Sequence, residues 1–220
     1  MSYTWADAAY DEAMDSLYDE FAKTAHEDGR VYDRVIAEFK DSRLRAFYVA
    51  HPDISDAAHN MLAEADKLNS VSPRCSLVFS AATSEICLRD VLLKPIIYGC
   101  FHSESSGELI STLIADAKHH QFLKASLDIF TQCTGIDLRK YQRPRIAKVL
   151  WQEISEIQQL RNQVLHGGKN VSEKEAVQAV QVSSCLLTFI FPHTMTKLGL
   201  HLHKAKVCNT TECFSDRDQY

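Results

Sequence analysis

Arg161, Asn162 and His166 are the residues whose types and spacing could do chemistry: Leu160–Gly168 reads LRNQVLHGG, an Arg-Asn pair followed four residues later by a His and two glycines. A guanidinium is a permanent cation, and an imidazole titrates near neutral pH, so the pair suits proton transfer at a negatively charged centre such as a phosphodiester. Spacing alone decides little, because a chain of this composition gives Arg-x4-His by chance about half a time. Context carries the weight. Ala147, Leu150, Ile154, Ile157 and Val164 recur in steps that mark one buried helical face, and Arg161 falls in the gap of that seam. A charge so placed needs a carboxylate, a phosphate or a route to water. His166 then stands where Gly167 and Gly168 permit the left-handed residue that stops a helix. The bland alternative is an internally paired Arg and a His favoured by the helix dipole.

A second misplaced charge is Glu85, inside the apolar stripe Leu77, Val78, Ala81, Leu88 and Leu92. It could pair with Arg89 one turn on. It could instead orient Arg161 across two packed helices. A third feature is the run Arg139, Lys140, Arg143, Arg145 and Lys148, with no acid between them and Pro144 placed as an early helical residue. It reads either as a solvated face or as an electrostatic guide for a phosphate backbone. His193, His201, His203, Cys208 and Cys213 have no compact zinc-ligand spacing, and the adjacent His119 and His120 point to different faces.

The elements that must position these groups are helical. The chain has 220 residues, 45% hydrophobic and 24% charged, with seven Gly and five Pro. That suits one folded domain of ordinary size, or one domain with an extension, and the periodicity predicts an all-α protein. A net charge of −5 excludes a protein that coats nucleic acid indiscriminately, though not a local basic patch. Seven Cys without disulfide spacing, acids near the N-terminus and no apolar stretch long enough to span a bilayer predict a reduced, cytoplasmic protein with no membrane partner.

In chain order, Trp5, Ala9, Ala13, Leu17 and Phe21 form a stripe that breaks at Gly29, and a second run through Val35, Ile36, Phe39, Phe47 and Tyr48 stops near His51-Pro52. Asp53 or Ser55 could cap a third helix carrying Ala58, Met61, Leu62, Ala65 and Leu68. Asn69–Pro73 is the clearest boundary. Residues 1–70 are therefore expected to be an N-terminal helical extension, 71–205 the main domain and 206–220 a polar tail. Pro95 should end or kink its helix before Gly99. Ser103–Ser106 could cap helices holding Leu109, Leu113, Ile114 and Ala117, then Phe122, Leu123, Leu127 and Phe130, closed by Gly135. Ser172 with Glu175 forms a capping box ahead of a last helix, which Pro192 should kink and Met195, Leu198 and Leu202 resume.

The helix LVFSAATSEICLRDVLL, two intervening amphipathic helices, a helix ending in RNQVLHGG and a final capped helix together resemble the HEPN superfamily over about Ser72 to His203. The resemblance implies a HEPN-like up-and-down helical bundle with an additional N-terminal helical region. It implies a homodimeric, metal-independent endoribonuclease, often a toxin or antiviral effector, that needs no cofactor. Arg161 and His166 match the family's catalytic pair, and Asn162 the polar residue that commonly follows the Arg. Glu85 resembles an acidic position of the first core helix. The implied partners are RNA, single-stranded or tRNA-like, a second copy of the chain, and an antitoxin or sensor protein. One branch, silenced by nucleotide modification, carries a Tyr two residues after the His. Gly168 stands there, so that control is not expected. A catalytically silent nucleotide- or RNA-binding module and a plain helical interaction subunit are the alternative readings.

Overall fold

A computed structural model of the chain describes residues 37–100 and 120–209. The stripe from Trp5 to Phe21, the break at Gly29, the helix expected through Leu109 to Ala117, Cys213 and most of the polar tail lie outside those residues.

The described part is mostly helical. Helix α1 joins a π-helical stretch Phe39–Leu44 to Arg45–Ala50 and stops just before His51-Pro52, as the proline requires. Helix α2 is Asp56–Leu68. Helix α3 runs through Pro73–Ile86, a π-helical Cys87–Leu93 and Lys94–Cys100. Helix α4 is His120–Thr134, closed by Gly135 at φ 75°. Helix α5 is Leu150–Gly167. Helix α6 runs through Glu173–Cys185, a π-helical Leu186–Ile190 and Phe191–Lys197. A short antiparallel hairpin, β1 His201–His203 and β2 Lys206–Cys208, follows.

The described residues from Lys40 onward form one compact unit. The turn at Asn69–Ser72 therefore connects two helices of a single body, with α2 packed along α3. Helix α3 is the centre: α2, α5 and α6 all pack on it, and its Leu77, Ala81, Val91 and Leu92 are fully buried. Small residues let α3 and α6 approach closely. The Ser183 hydroxyl donates to Ser80 O at 3.0 Å, beside buried Ala176, Ala179 and Val182.

Neither proline ends its helix. Pro95 and Pro192 each follow a π-helical stretch, and the two stretches pack on one another. The wider turn makes room for the pyrrolidine ring, which in a regular α-helix clashes with the carbonyl four residues back. For Pro95 that carbonyl is Val91 O, and it accepts the Tyr48 hydroxyl at 2.7 Å. Burial pushes the Tyr48 phenol far above its ordinary range, so it stays a donor. Tyr48→Phe should cost about 1–3 kcal/mol by leaving a buried acceptor unmet, read as a lower denaturation midpoint with unchanged slope.

Three expectations about local structure change. Ser55 precedes α2, but its hydroxyl donates to Ala205 O at 3.0 Å instead of capping the helix, and Asp53 pairs with Lys206. Both bonds tie the hairpin to the start of α2. Leu198 and Leu202 do not extend α6, which stops at Lys197 before Gly199 at φ 66°, and Leu202 lies on β1. The hairpin turn places Lys204 and Ala205 at φ 50° and 65°, a conformation that favours Asn-Gly. Ala205→Gly should raise stability by about 1 kcal/mol, measured by thermal melting.

The third concerns membrane propensity. No stretch was expected to be long and apolar enough to cross a bilayer, yet among the described residues Glu173–Lys197 meets that test by length and composition. Its apolar side faces α3, with Ala176, Ala179, Val182, Leu186 and Ile190 buried in the fold.

Candidate functional site

Helix α5 carries the site because its two faces differ. Leu150, Ile154 and Ile157 are buried and Val164 is half-buried, which fixes the helix against α3. Ala147, expected on the same seam, lies in the preceding loop. The helix ends where the glycines dictate. Gly168 adopts φ 64°, its N–H reaches Val164 O at 3.1 Å, and Lys169 N–H reaches Gln163 O at 3.2 Å. The capping box that starts α6 is present, with Ser172 N–H donating to Glu175 Oε2 at 2.8 Å and Glu175 N–H to Ser172 Oγ at 3.3 Å.

Arg161 is held across the α3–α5 contact. Its Nη2 donates to Glu85 Oε2 at 3.0 Å and to Gln158 Oε1 at 2.9 Å. Gln158 Nε2 in turn donates to the Ala81 carbonyl at 3.0 Å. Arg89, the other partner considered for Glu85, pairs with Asp90 at 2.7 Å. The side chains of Arg161 and Glu85 are 27% and 46% exposed, so the pair sits at the edge of the core, open to solvent on one side.

Asn162 and His166 are four residues apart, hence on one helical face, and both are exposed. Neither side chain has a hydrogen-bond partner among the described residues, so both can meet a ligand. Leu165 between them is also exposed. The structure thus brings Glu85, Gln158 and Arg161 into one hydrogen-bonded set and leaves Asn162 and His166 facing water on the next turn. Gln158 was not singled out from sequence. Its signal was the position one turn before Arg161, within reach of the same side chain. A further link, Arg74 Nη2 to Asn170 Oδ1, ties the segment after the glycines to the start of α3.

No family model, curated protein or solved structure matches the chain.

The basic run is not a row of free cations. Arg139 pairs with Asp128 and Asp137, and Lys148 with Glu156, each within 2.8 Å. Lys140 lies 3.6 Å from Asp137 with its side chain 85% exposed. Arg143 turns inward to a bidentate bond with Glu153 at 2.7 and 2.9 Å. The hydrogen-bonded Arg139 guanidinium holds the Asp137 carboxyl below the usual carboxylate range. The run also lies outside helix. Pro144 and Arg145 form the middle of a tight turn closed by Ile146 N–H to Arg143 O at 3.0 Å, with Arg145 at φ 65° where such a turn favours glycine. Of the five basic residues, only Arg145 has no partner among the described residues. No group of three or more His, Cys, Asp or Glu side chains is placed to hold a metal among those residues.

Proposed function

We propose that the chain is a metal-independent endoribonuclease of HEPN type that acts as a homodimer on single-stranded or tRNA-like RNA, as a toxin or antiviral effector. The observation that carries this reading is the arrangement at the end of α5. A guanidinium lodged at the rim of the core by Glu85 and Gln158 is followed along the same helix by a solvent-facing Asn162 and, one turn further on, His166.

RNA brings its own nucleophile. One His166 imidazole takes the proton from a 2′-hydroxyl as the O2′–P bond forms, and a protonated imidazole gives a proton to the departing 5′-oxygen as the P–O5′ bond breaks. Arg161 offsets the charge that gathers on the phosphoryl oxygens, and Asn162 holds one of them. One chain supplies one such imidazole. Two copies sharing a cleft supply both, which is the physical reason for a dimer. The products are a 2′,3′-cyclic phosphate and a 5′-hydroxyl. An antitoxin or sensor protein would hold this activity in check in the cell's reducing interior.

The internal bonding of Arg161 favours a second reading, a silent helical module in which the charge is structural. Purified protein incubated with single-stranded RNA in EDTA separates the two: cleavage supports the nuclease, and intact RNA leaves the silent module. Glu85→Gln should lower cleavage by about tenfold through a freer Arg161. Stability should change by about 0–1 kcal/mol, since the pair is half-exposed. Undiminished activity in that variant would remove Glu85 from the site.

A further inference from the structure

At the far end of α5 from His166 lies a column of three rings that nothing in the fold requires. Phe189 has 48% of its surface in solvent. Its ring stacks on Tyr141 with centroids 5.5 Å apart and planes at 25°, and on His193 at 6.3 Å and 19°. Large apolar side chains in a helix normally turn inward, yet the π-helical stretch Leu186–Ile190 buries Leu186, Leu187 and Ile190 and leaves Phe189 outside.

The flanking rings are fixed in place. Tyr141 is tied through its carbonyl to Leu150 N–H at 2.7 Å, and its ring stacks on Phe189. Burial, then the neighbouring Cys185 thiol, pushes the Tyr141 phenol up to about 12, so it remains a protonated donor. The His193 ring is held by Nε2 at 3.2 Å from Thr134 O. The three rings form a rigid ladder with an open edge, which suits a flat aromatic ligand because little ordering is left to be done on binding.

Charge supplies the second observation. Tyr141 lies in a loop between Lys140, whose side chain is 85% exposed, and the exposed Arg145. Arg145 keeps a left-handed backbone that a glycine would take more easily, and its guanidinium has no partner among the described residues. An exposed ring, Phe189, beside a loop that carries one unpaired cation, Arg145, and a second, Lys140, held only at 3.6 Å from Asp137, is the combination by which proteins hold unpaired nucleic acid. Bases stack on the ring while the cations follow the phosphates. Duplex bases, already stacked on one another, cannot use it.

We propose that Tyr141, Phe189 and His193, with Lys140 and Arg145, form a base-stacking subsite for single-stranded RNA. The proposal rests on the reading of the chain as a ribonuclease and names how its substrate is held. Residues 150 to 166 span about 24 Å of α5 at 1.5 Å per residue, so a strand seated on the ladder reaches His166 over a few unpaired nucleotides. The subsite therefore selects unpaired stretches before any bond is cut.

The test is fluorescence anisotropy with a short, labelled, 2′-O-methyl single-stranded oligonucleotide, which binds and cannot be cleaved. Phe189→Leu keeps an apolar side chain and removes the π-face, and it should weaken binding about tenfold or more, while Phe189→Trp should retain it. A matching duplex should compete poorly. Thermal melting confirms that both variants fold. Equal binding by wild type and Phe189→Leu, or no binding by wild type, overturns the subsite, whether or not RNA is cleaved in EDTA. A Phe189→Leu change in oligomeric state without a change in binding also overturns it, by assigning the ring to a protein contact. Phe189-dependent binding with no cleavage in EDTA keeps the subsite and removes the ribonuclease.

Discussion

His166→Ala should lower RNA cleavage by about 10²- to 10⁴-fold, the usual contribution of a positioned general acid or base. The imidazole is exposed and hydrogen-bonded to nothing among the described residues, so its loss should leave the melting temperature unchanged. This combination separates a catalytic role from a structural one. Arg161→Ala should lower cleavage comparably while also costing about 0–1 kcal/mol of stability, because it leaves Glu85 and Gln158 without their shared donor at a half-exposed site. A wild-type rate in either variant would remove that residue from the chemistry. A large drop in melting temperature for His166→Ala would mean that the ring is structural.

The largest effect on stability is expected from Glu153. Its side chain is 1% exposed and that of Arg143 is 10%, and two short bonds join them. Glu153→Ala strands a guanidinium in the core, at a cost of about 3–5 kcal/mol. For a protein of this size, that lowers the melting temperature by roughly 6–20 °C. Arg143→Met combined with Glu153→Leu should recover most of the loss, since an apolar pair avoids the desolvation of both charges. A single-variant loss below about 1 kcal/mol would contradict the burial of the pair.

How far the sequence could be read depends on whether the deciding partner was close along the chain. The end of α5 was legible because Gly168 is the residue that permits a left-handed stop, and the start of α6 because Ser172 and Glu175 cap each other within one turn. The geometry of Arg161 and Glu85 was legible as a question: two charges on apolar seams needed partners, and the candidates were few. The basic run was not legible. Its neutralising acids Asp128, Glu153 and Glu156 lie outside the run, and only the packed loop brings them to it. Pro144 suggested a helix start, whereas it turns the chain ahead of a helix that begins at Leu150. Pro95 suggested an end or a kink and Pro192 a kink, because single-residue preference says nothing of a wider turn placed just before them. The hairpin at His201–Cys208 was read partly as helix, since Leu202 fell at a helical interval from Leu198.

The ribonuclease reading turns on whether the attacking oxygen belongs to the substrate. The most direct measurement incubates purified protein in EDTA with a single-stranded RNA oligonucleotide and with the DNA oligonucleotide of the same sequence, then determines the ends of any product. The expected result is RNA cut to a 2′,3′-cyclic phosphate and a 5′-hydroxyl, with the DNA intact. Uncut RNA, cleavage of the DNA, or a 3′-hydroxyl on the product would contradict it.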